Sequence, residues 1–364
     1  MISISKMHKL TWYFFLFSLL SLNGFSQDNF IPFSDKHISY EGRIPFANDA
    51  AALYWPGVSV KINFKGTGIS GTFKDQDTAN YYNVIIDNGR MHEFHFDTTK
   101  QTVALASGLH FGKHSIELFK RTEWDKGKTW FYGFEFKGKY KLLKPSKLPK
   151  RKIEFFGNSI TCGYAINDKV HDSPNGYYEN NYDTYAAITA RHFNAQYHCT
   201  SKSGIGIMVS WFPLIMPEMY KRLDPTDAAS KWGFSKYTPD LVVINLLQND
   251  SWIVNIPKNE QFISRFGTKP PDENFIINAY ENFVLTIRKT YPDAQIICML
   301  GTMDITRKDS PWPGYVTKAV EKVHDKKIFT FFEPYKKTPG HPKVKEQKIM
   351  ADGLIQFIDQ NIKW

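Results

Sequence analysis

The sequence predicts two domains, an antiparallel β-sandwich of jelly-roll type followed by a three-layer α/β domain with a parallel sheet. Up to about residue 140, short segments of alternating apolar and polar residues are separated by turns that contain glycine. After residue 152, short continuous apolar runs alternate with helical patterns, which is typical of a parallel sheet with helices on both faces. A length of 364 residues fits two domains of ordinary size.

The N-terminus has the pattern of a secretory signal peptide. Lys6 and Lys9 precede an apolar run over residues 10–22, and small or polar residues around Ser26 follow. The alternative is an N-terminal membrane anchor, but the run is shorter than the ~20 residues that a spanning helix needs. We therefore predict that residues 1–26 are removed on export, and that the mature protein is secreted or periplasmic without membrane insertion.

The β-sandwich is predicted over residues 28–140. Val58, Val60 and Ile62 alternate with other residues, as a half-buried strand requires. The segment Asp87-Asn88-Gly89 predicts a hairpin turn, because Asn and Gly tolerate positive φ. Several such segments in succession favour an antiparallel sandwich.

A basic stretch follows, and we interpret residues 141–151 as a linker. The chain carries a net charge of +10, and much of the excess lies between residues 137 and 152, where no acidic residue occurs. Such a charge could indicate a nucleic-acid partner. Pro145 and Pro149 interrupt the run, however, and a Lys- and Pro-rich segment is typical of a solvated linker, so we expect no nucleic-acid binding.

The α/β domain is predicted over residues 152–364. Buried strands are expected at residues 153–156, 241–246 and 295–300. One amphipathic helix should end before Pro292, and the last helix should begin with Pro342 at its first position. The helical apolar sets are Ile276, Ile277, Tyr280, Phe283, Val284 and Ile287, then Val316, Ala319, Val320 and Val323, then Met350, Leu354, Phe357 and Ile358.

Ser159 is the most informative residue for function. The first apolar run of this domain ends abruptly in Gly157-Asn158-Ser159, which presents a hydroxyl at the carboxyl end of a strand, where such sheets bind ligands. A serine nucleophile needs a base and donors for an oxyanion. Gly204 in a flexible loop, Asn249 after the next buried strand and His341 before the last helix can supply them.

These four segments resemble the signature of the SGNH (GDSL-like) hydrolases, in which Ser, Gly, Asn and His occur in that order. Ser159, Gly204, Asn249 and His341 match the four positions, and the resemblance covers the second domain. The first domain resembles the N-terminal domain of carbohydrate esterase family 2. The segments that carry this second resemblance are Gly42-Arg43, Trp55-Pro56-Gly57 and Phe64-Lys65-Gly66-Thr67.

The resemblance implies a secreted serine esterase that removes acetyl or other small acyl groups from an acetylated oligo- or polysaccharide. Ser159 would attack the ester carbonyl and His341 would move the proton. The backbone N–H groups of Ser159 and Gly204 and the side-chain amide of Asn249 would bind the oxyanion. No cofactor and no metal are expected. Lipid esters and small soluble esters are alternative substrates.

Three positions depart from the family pattern. Asn158 stands where Asp is usual, and Leu247-Gln248 stands where Gly-Thr is usual. Thr338 stands where the acid that supports the histidine is expected. The resemblance then implies a Ser–His dyad whose imidazole is held by a backbone carbonyl, with Glu333 as an alternative acid.

The departures also motivate a second hypothesis, a carbohydrate-binding protein with a vestigial esterase site. Trp252, close to Asn249, either packs in the core or stacks on a sugar ring. The cysteines are Cys162, Cys199 and Cys298, whose wide spacing indicates neither a disulfide framework nor a metal site. At most one pair can form a bridge, and we expect buried free thiols.

Overall fold

The computed structural model describes residues 29–47 and 49–364, so the predicted signal peptide lies outside the described residues. The first domain consists of two antiparallel sheets. The first sheet has the strand order β1-β10-β5-β8, with β3 also paired to β10, and the second has the order β11-β4-β9-β6-β7, with β2 also paired to β4. Its strands are β1 (Phe30–Pro32), β2 (Ile38–Glu41), β3 (Ala51–Leu53), β4 (Ser59–Gly66), β5 (Ile69–Asp75), β6 (Tyr81–Ile86), β7 (Arg90–His95), β8 (Gln101–Ala106), β9 (Gly112–Lys120), β10 (Thr129–Glu135) and β11 (Lys141–Leu142). The predicted β-sandwich is confirmed.

The local patterns behave as the sequence predicts. Val60 and Ile62 of β4 are buried in the core between the sheets. β6 and β7 form a hairpin with Ile86 opposite Arg90, and Asp87 and Asn88 at its turn have φ values of 55° and 56°. The turn has the backbone conformation that matches the twist of the strands it joins.

The first residues of the predicted linker extend a sheet. Lys141 and Leu142 pair with Lys65 and Phe64 of β4, and the N–H of Leu143 donates to the carbonyl of Asn63. The remaining residues lead to the first strand of the second domain, which begins at Arg151.

The second domain contains a parallel sheet of order β13-β12-β14-β15-β16. Its strands are β12 (Arg151–Gly157), β13 (Ala195–Ser201), β14 (Leu241–Asn245), β15 (Gln295–Leu300) and β16 (Ile328–Phe332). Its helices are α1 (Ser159–Cys162), α2 (Tyr185–His192), α3 (Met216–Met219), α4 (Gln248–Ile253), α5 (Glu260–Phe266), α6 (Glu273–Thr290), α7 (Trp312–Val323) and α8 (Val344–Asn361). The α/β fold class is confirmed.

Helices cover both faces of this sheet. Ile153 and Phe155 of β12 share a core with Leu354 of α8, and α2 packs beside α8 on that face. Phe156 points to the opposite face and contacts Phe283 of α6. Because side chains alternate along a strand, one apolar run supplies both cores of a three-layer domain.

The helix boundaries follow the sequence signals with one exception. α6 ends at Thr290, before Pro292. α8 begins at Val344 and not at Pro342, because the N–H of Lys343 donates to Oε2 of Glu346 and makes Lys343 the N-cap. Among the helices of the described residues, none is long and apolar enough to cross a membrane.

A buried ion pair joins the two domains. Arg43 of the sandwich donates from Nη2 to Oε1 of Glu154 in β12 at 2.7 Å, and both side chains are buried. The guanidinium also donates to the carbonyls of Tyr220 and Arg222 and lies against the ring of Trp232. These contacts connect the sandwich to β12 and to the segment after α3, although Nε of Arg43 has no hydrogen-bond partner among the described residues.

Candidate active site

Ser159 is presented by a tight turn at the end of β12. Asn158 caps α1, since its side-chain oxygen accepts from the N–H of Ile160 at 3.1 Å. A Cβ at Gly157 would lie 2.0 Å from Oγ1 of Thr161, so only glycine fits there. Asn158 therefore supplies the cap that an Asp would supply, without its charge.

His341 lies next to Ser159. Its Nε2 is 2.8 Å from Oγ of Ser159, although the two residues are 182 positions apart in the chain. The ring of Tyr164 packs against the imidazole with centroids 4.7 Å apart. This is the distance and orientation at which an imidazole can accept the hydroxyl proton.

The partner of the imidazole is Asp172, which the sequence analysis missed. Oδ2 of Asp172 lies 2.7 Å from Nδ1 of His341 and also accepts the backbone N–H of His341 at 2.8 Å. The expected arrangement, with a backbone carbonyl on Nδ1, is therefore wrong. The loop that follows α1 brings a carboxylate to the place that Thr338 cannot fill.

Glu333, the alternative acid, lies elsewhere. It packs against α8, where a Cβ at Gly353 would lie 2.6 Å from Oε1 of Glu333. Within the described part of the chain, this oxygen has no hydrogen-bond partner. Burial raises the pKa of Glu333 to about 7. The carboxyl beside the imidazole is that of Asp172.

Gly340 makes room for this carboxylate. Its φ is +72°, and a Cβ would lie 2.9 Å from both carboxylate oxygens of Asp172. Glycine is required here for the backbone conformation and for the close approach. The glycine before His341 was thus a sequence signal that another group packs closely there, but a glycine alone does not identify that group as Asp172.

Asp172 is held in its ionised form. Partial burial alone would raise its pKa, but hydrogen bonds from His341 and Lys343 outweigh burial and hold the pKa below its ordinary value. Nζ of Lys343 lies 2.7 Å from Oδ1 of Asp172. A carboxylate that stays ionised orients the imidazole and stabilises the imidazolium that proton transfer creates.

Three donors converge near Ser159. Ser159 is the first residue of α1, so its N–H has no partner within the helix. Gly204 has a φ of +82°, and its N–H donates to no hydrogen bond among the described residues. Nδ2 of Asn249 donates to the carbonyl of Ile205 at 2.8 Å, and Oδ1 of Asn249 accepts from Trp211. An amide nitrogen carries two hydrogens, so Asn249 retains one donor for a ligand.

Asp250 fixes the loop that follows Gly204. Its buried Oδ1 accepts the N–H groups of Ile207, Met208 and Val209 at 3.1, 2.7 and 3.1 Å. Burial raises the pKa of Asp250 to about 6, although these three bonds favour the ionised form. α4 therefore carries one candidate oxyanion donor, Asn249, and anchors the loop that carries another.

The altered residues before Asn249 are accommodated in place. Leu247 is buried and has a φ of +75°, a conformation that favours glycine. Nε2 of Gln248 donates to Oδ1 of Asp304 at 2.9 Å. The loop thus keeps Asn249 in the site despite the departure from the family pattern.

One pocket of about 360 Å³ is lined by the five principal site residues that the sequence predicted, Ser159, Gly204, Asn249, Trp252 and His341. Trp252 is part of it, and its Nε1 donates to the carboxylate of Asp304 at 2.9 Å. Trp211 and Trp252 also line an adjoining groove of about 710 Å³. The pocket lining consists of Asp125, Ser159, Tyr164, Asp172, Lys202, Ser203, Gly204, Trp211, Phe212, Asn249, Trp252 and His341.

One cluster of carboxylates among the described residues has oxygens close enough together to hold a cation. Oxygens of Glu123, Asp125 and Glu179 lie within 4.8 Å of one another. Nζ of Lys126 lies 3.1 Å from Oε1 of Glu179 and 3.3 Å from Oδ1 of Asp125. An ammonium group therefore already provides the cluster with positive charge.

The cysteines form no disulfide. Cys162, Cys199 and Cys298 are buried free thiols, as the sequence predicts. The Sγ atoms of Cys162 and Cys199 lie 3.2 and 3.0 Å from Oγ of Ser201. Burial raises the pKa of each thiol, so at neutral pH they are protonated and weakly nucleophilic.

Comparison with known proteins agrees with this geometry. Residues 40–145 match the family described as Carbohydrate esterase 2 N-terminal. The solved structure of a family two carbohydrate esterase from Clostridium thermocellum in complex with cellohexaose is 35% identical. The match covers 89% of this chain and 98% of that one, with a TM-score of 0.78.

Two curated relatives are similar over most of the chain. A cellulase/esterase of Acetivibrio thermocellus is 35% identical over 350 residues, and the match covers 90% of this chain but 40% of that protein. An acetylxylan esterase / glucomannan deacetylase of Cellvibrio japonicus is 27% identical, and the match covers 93% of both chains. The chain thus spans less than half of the first relative and nearly all of the second.

Proposed function

Because the chain belongs to carbohydrate esterase family 2, we propose that it is a serine esterase that removes acetyl groups from an acetylated oligo- or polysaccharide. The observation that carries this proposal is the hydrogen-bonded series Ser159–His341–Asp172, at 2.8 and 2.7 Å, in a pocket that also contains the donor groups of Gly204 and Asn249. The signal-peptide pattern of residues 1–26 supports export to the compartment where such glycans occur.

The chemistry follows from the positions of these groups. Ser159 Oγ attacks the ester carbonyl while Nε2 of His341 takes its proton, and the oxyanion is bound by the N–H groups of Ser159 and Gly204 and by Nδ2 of Asn249. His341 then gives the proton to the sugar oxygen as its bond to the acyl carbon breaks, so that the sugar leaves with a free hydroxyl. Water then attacks the acyl-enzyme with His341 again as the base, and acetate is released.

The walls of the pocket support a small acyl group and a sugar. A Cβ at Gly204 would lie 3.1 Å from the ring of Phe212 and 3.4 Å from that of Trp211, so aromatic rings stand close to the oxyanion loop. Trp252 is held by Asp304 at the junction of the pocket and the groove. We assign it to stacking on a sugar ring of the substrate.

The two sequence observations that suggested a vestigial site no longer support that hypothesis. The supposedly missing acid is replaced by Asp172, and the altered residues at Leu247 leave Asn249 in the pocket. A sugar-binding protein without catalysis would not need a nucleophile within hydrogen-bond distance of a carboxylate-supported imidazole.

The experiment is acetate release from acetylated xylan, acetylated glucomannan and an aryl acetate. We expect turnover by the mature protein and none by Ser159→Ala. Ser146→Ala, at an exposed linker position, is the matched control and should keep full activity. If Ser159→Ala releases acetate at the wild-type rate, Ser159 is not the nucleophile. Aryl esters of increasing acyl length measure whether acetyl is preferred.

A further inference from the structure

The β-sandwich reaches the active site through one short connection. Between β9 and β10, a segment that includes Glu123 and a 3-10 turn over Trp124–Lys126 projects toward the second domain. Asp125 of this segment lines the pocket beside Ser159. The first domain therefore contributes to the wall of the pocket that contains Ser159.

Glu123 makes the decisive contact. Its side chain is fully buried, and its Oε2 accepts the backbone N–H of Ser203 at 2.7 Å. Ser203 directly precedes Gly204, whose N–H is a candidate oxyanion donor. In the part of the chain that the structure describes, Oε1 of Glu123 has no hydrogen-bond partner, so its bond to Ser203 is the one that the side chain makes.

The backbone of Glu123 is held by hydrogen bonds within its own domain and across the domain interface. Its N–H donates to Oε2 of Glu179 at 3.0 Å, and its carbonyl accepts from the buried Nζ of Lys120 at 3.2 Å. Burial and the neighbouring Asp125 carboxylate raise the pKa of Glu123. The oxygen that faces Ser203 remains an acceptor whether or not the other oxygen carries a proton.

The oxyanion loop needs such a support. Gly204 has no side chain that could fix its peptide, and its φ of +82° is open to glycine alone at low cost. Two backbone hydrogen bonds hold the loop within its own domain. The N–H of Lys202 donates to the carbonyl of Gly157, and the N–H of Trp211 donates to the carbonyl of Gly204. Ser203 lies between Lys202 and Gly204, and its hydrogen bond is to Glu123 of the other domain.

We propose that Glu123 is a positioning residue for the oxyanion hole: its carboxylate holds the Ser203–Gly204 backbone so that the N–H of Gly204 points at the developing oxyanion. The β-sandwich is then part of the catalytic apparatus. This inference rests on the proposed esterase function. A small displacement of a preorganised group is costly in turnover, and we expect a loss of about 10–100-fold in kcat when the support is removed.

Three variants test the proposal with an aryl acetate. Glu123→Ala removes the acceptor, whereas Glu123→Gln keeps an oxygen that can accept from Ser203. Glu41→Ala is the matched control, because Glu41 of the sandwich also accepts a backbone N–H across the domain interface, that of Tyr197, but outside the active-site pocket. The measured quantities are kcat, KM, and the affinity for a trifluoromethyl ketone, which forms a tetrahedral oxyanion on Ser159.

We expect Glu123→Ala to lose about 10–100-fold in kcat and a parallel factor in ketone affinity, with KM within about threefold of wild type. Glu123→Gln should recover most of both, and Glu41→Ala should match wild type per folded molecule. Wild-type kcat and ketone affinity in Glu123→Ala, or an equal loss in Glu41→Ala, would overturn the proposal.

Hydrogen exchange of residues 201–207 provides a readout that needs no substrate. Exchange should be faster in Glu123→Ala than in wild type or Glu41→Ala, and unchanged exchange would refute the support. A wild-type protein no more active than Ser159→Ala would refute the esterase function instead. The exchange measurement would then still decide whether Glu123 holds the loop.

Discussion

Oδ2 of Asp172 lies 2.7 Å from Nδ1 of His341, although 169 residues separate the two in the chain. The carboxylate thus comes from the loop after α1 and the imidazole from the segment before α8. Both segments follow Ser159 in the sequence, one shortly after it and the other near the C-terminus. This relationship gives the most direct test of the site.

Replacing Asp172 should cripple turnover without abolishing it. In Asp172→Asn the imidazole loses the carboxylate that orients it and stabilises its charged form, and we expect kcat to fall by about 10²–10⁴. Aryl acetate hydrolysis measures the effect. Glu333→Gln is the matched control and should keep wild-type kcat. An active Asp172→Asn beside an inactive Glu333→Gln would show that the acid had been assigned to the wrong residue.

Gly340→Ala tests the same contact from the other side. The added Cβ would lie 2.9 Å from both carboxylate oxygens of Asp172 and would also be strained at a φ of +72°. We expect kcat to fall at least tenfold as Asp172 is displaced. Gly314→Ala, where a new Cβ meets nothing within 4 Å, is the comparison and should leave kcat unchanged. Equal activity in the two variants would contradict the close approach.

Asn249→Ala removes a proposed oxyanion donor. We expect kcat to fall by about 10²–10³, with a much smaller change in KM, because the donor acts mainly in the transition state. Trp211→Phe breaks the bond from Trp211 to Oδ1 of Asn249 but leaves the amide in place, so its loss should be smaller. The ratio of the two kcat values is the measurement, and a ratio near one would exclude the amide as a donor.

Glu333→Gln should stabilise the protein at alkaline pH. The pKa of Glu333 is raised by burial from 4.5 to about 7 in the folded state, so between these pH values the folded protein binds more protons than the unfolded chain. The stability that depends on Glu333 then falls as pH rises through this window. The neutral variant avoids the loss, on the order of 1–3 kcal/mol.

The measurement is the difference in Tm between Glu333→Gln and wild type at pH 5 and pH 8. This difference should be larger at pH 8. An equal difference at the two values would mean that Glu333 titrates normally in the folded protein.

The sequence predicted those elements whose apolar residues form one simple pattern, either a continuous run or a helical spacing. β12, β14 and β15 are continuous apolar runs, and α6 and α7 carry apolar residues at helical spacing. β13 was missed because polar residues interrupt it, and their partners come from other strands: Thr200, for example, donates to Glu154. Such pairs arise only when the chain is folded.

The site was predictable to the same degree. Ser159 and Asn249 follow predicted strands and His341 precedes a predicted helix, whereas Gly204 was identified by the resemblance to SGNH hydrolases; all four line one pocket. Asp172 lies in an irregular loop with no periodicity, and Glu123 lies in the other domain. Their contacts depend on the tertiary packing of segments that no local pattern connects.

The ion pair of Arg43 and Glu154 has a consequence for how the chain is made. The two residues are 111 positions apart, so Arg43 leaves the ribosome long before its partner is synthesised. Until then the guanidinium must remain hydrated, and the sandwich cannot complete the surface that meets the second domain. The contact between Arg43 and β12 can therefore form only after the first strand of the second domain has been synthesised.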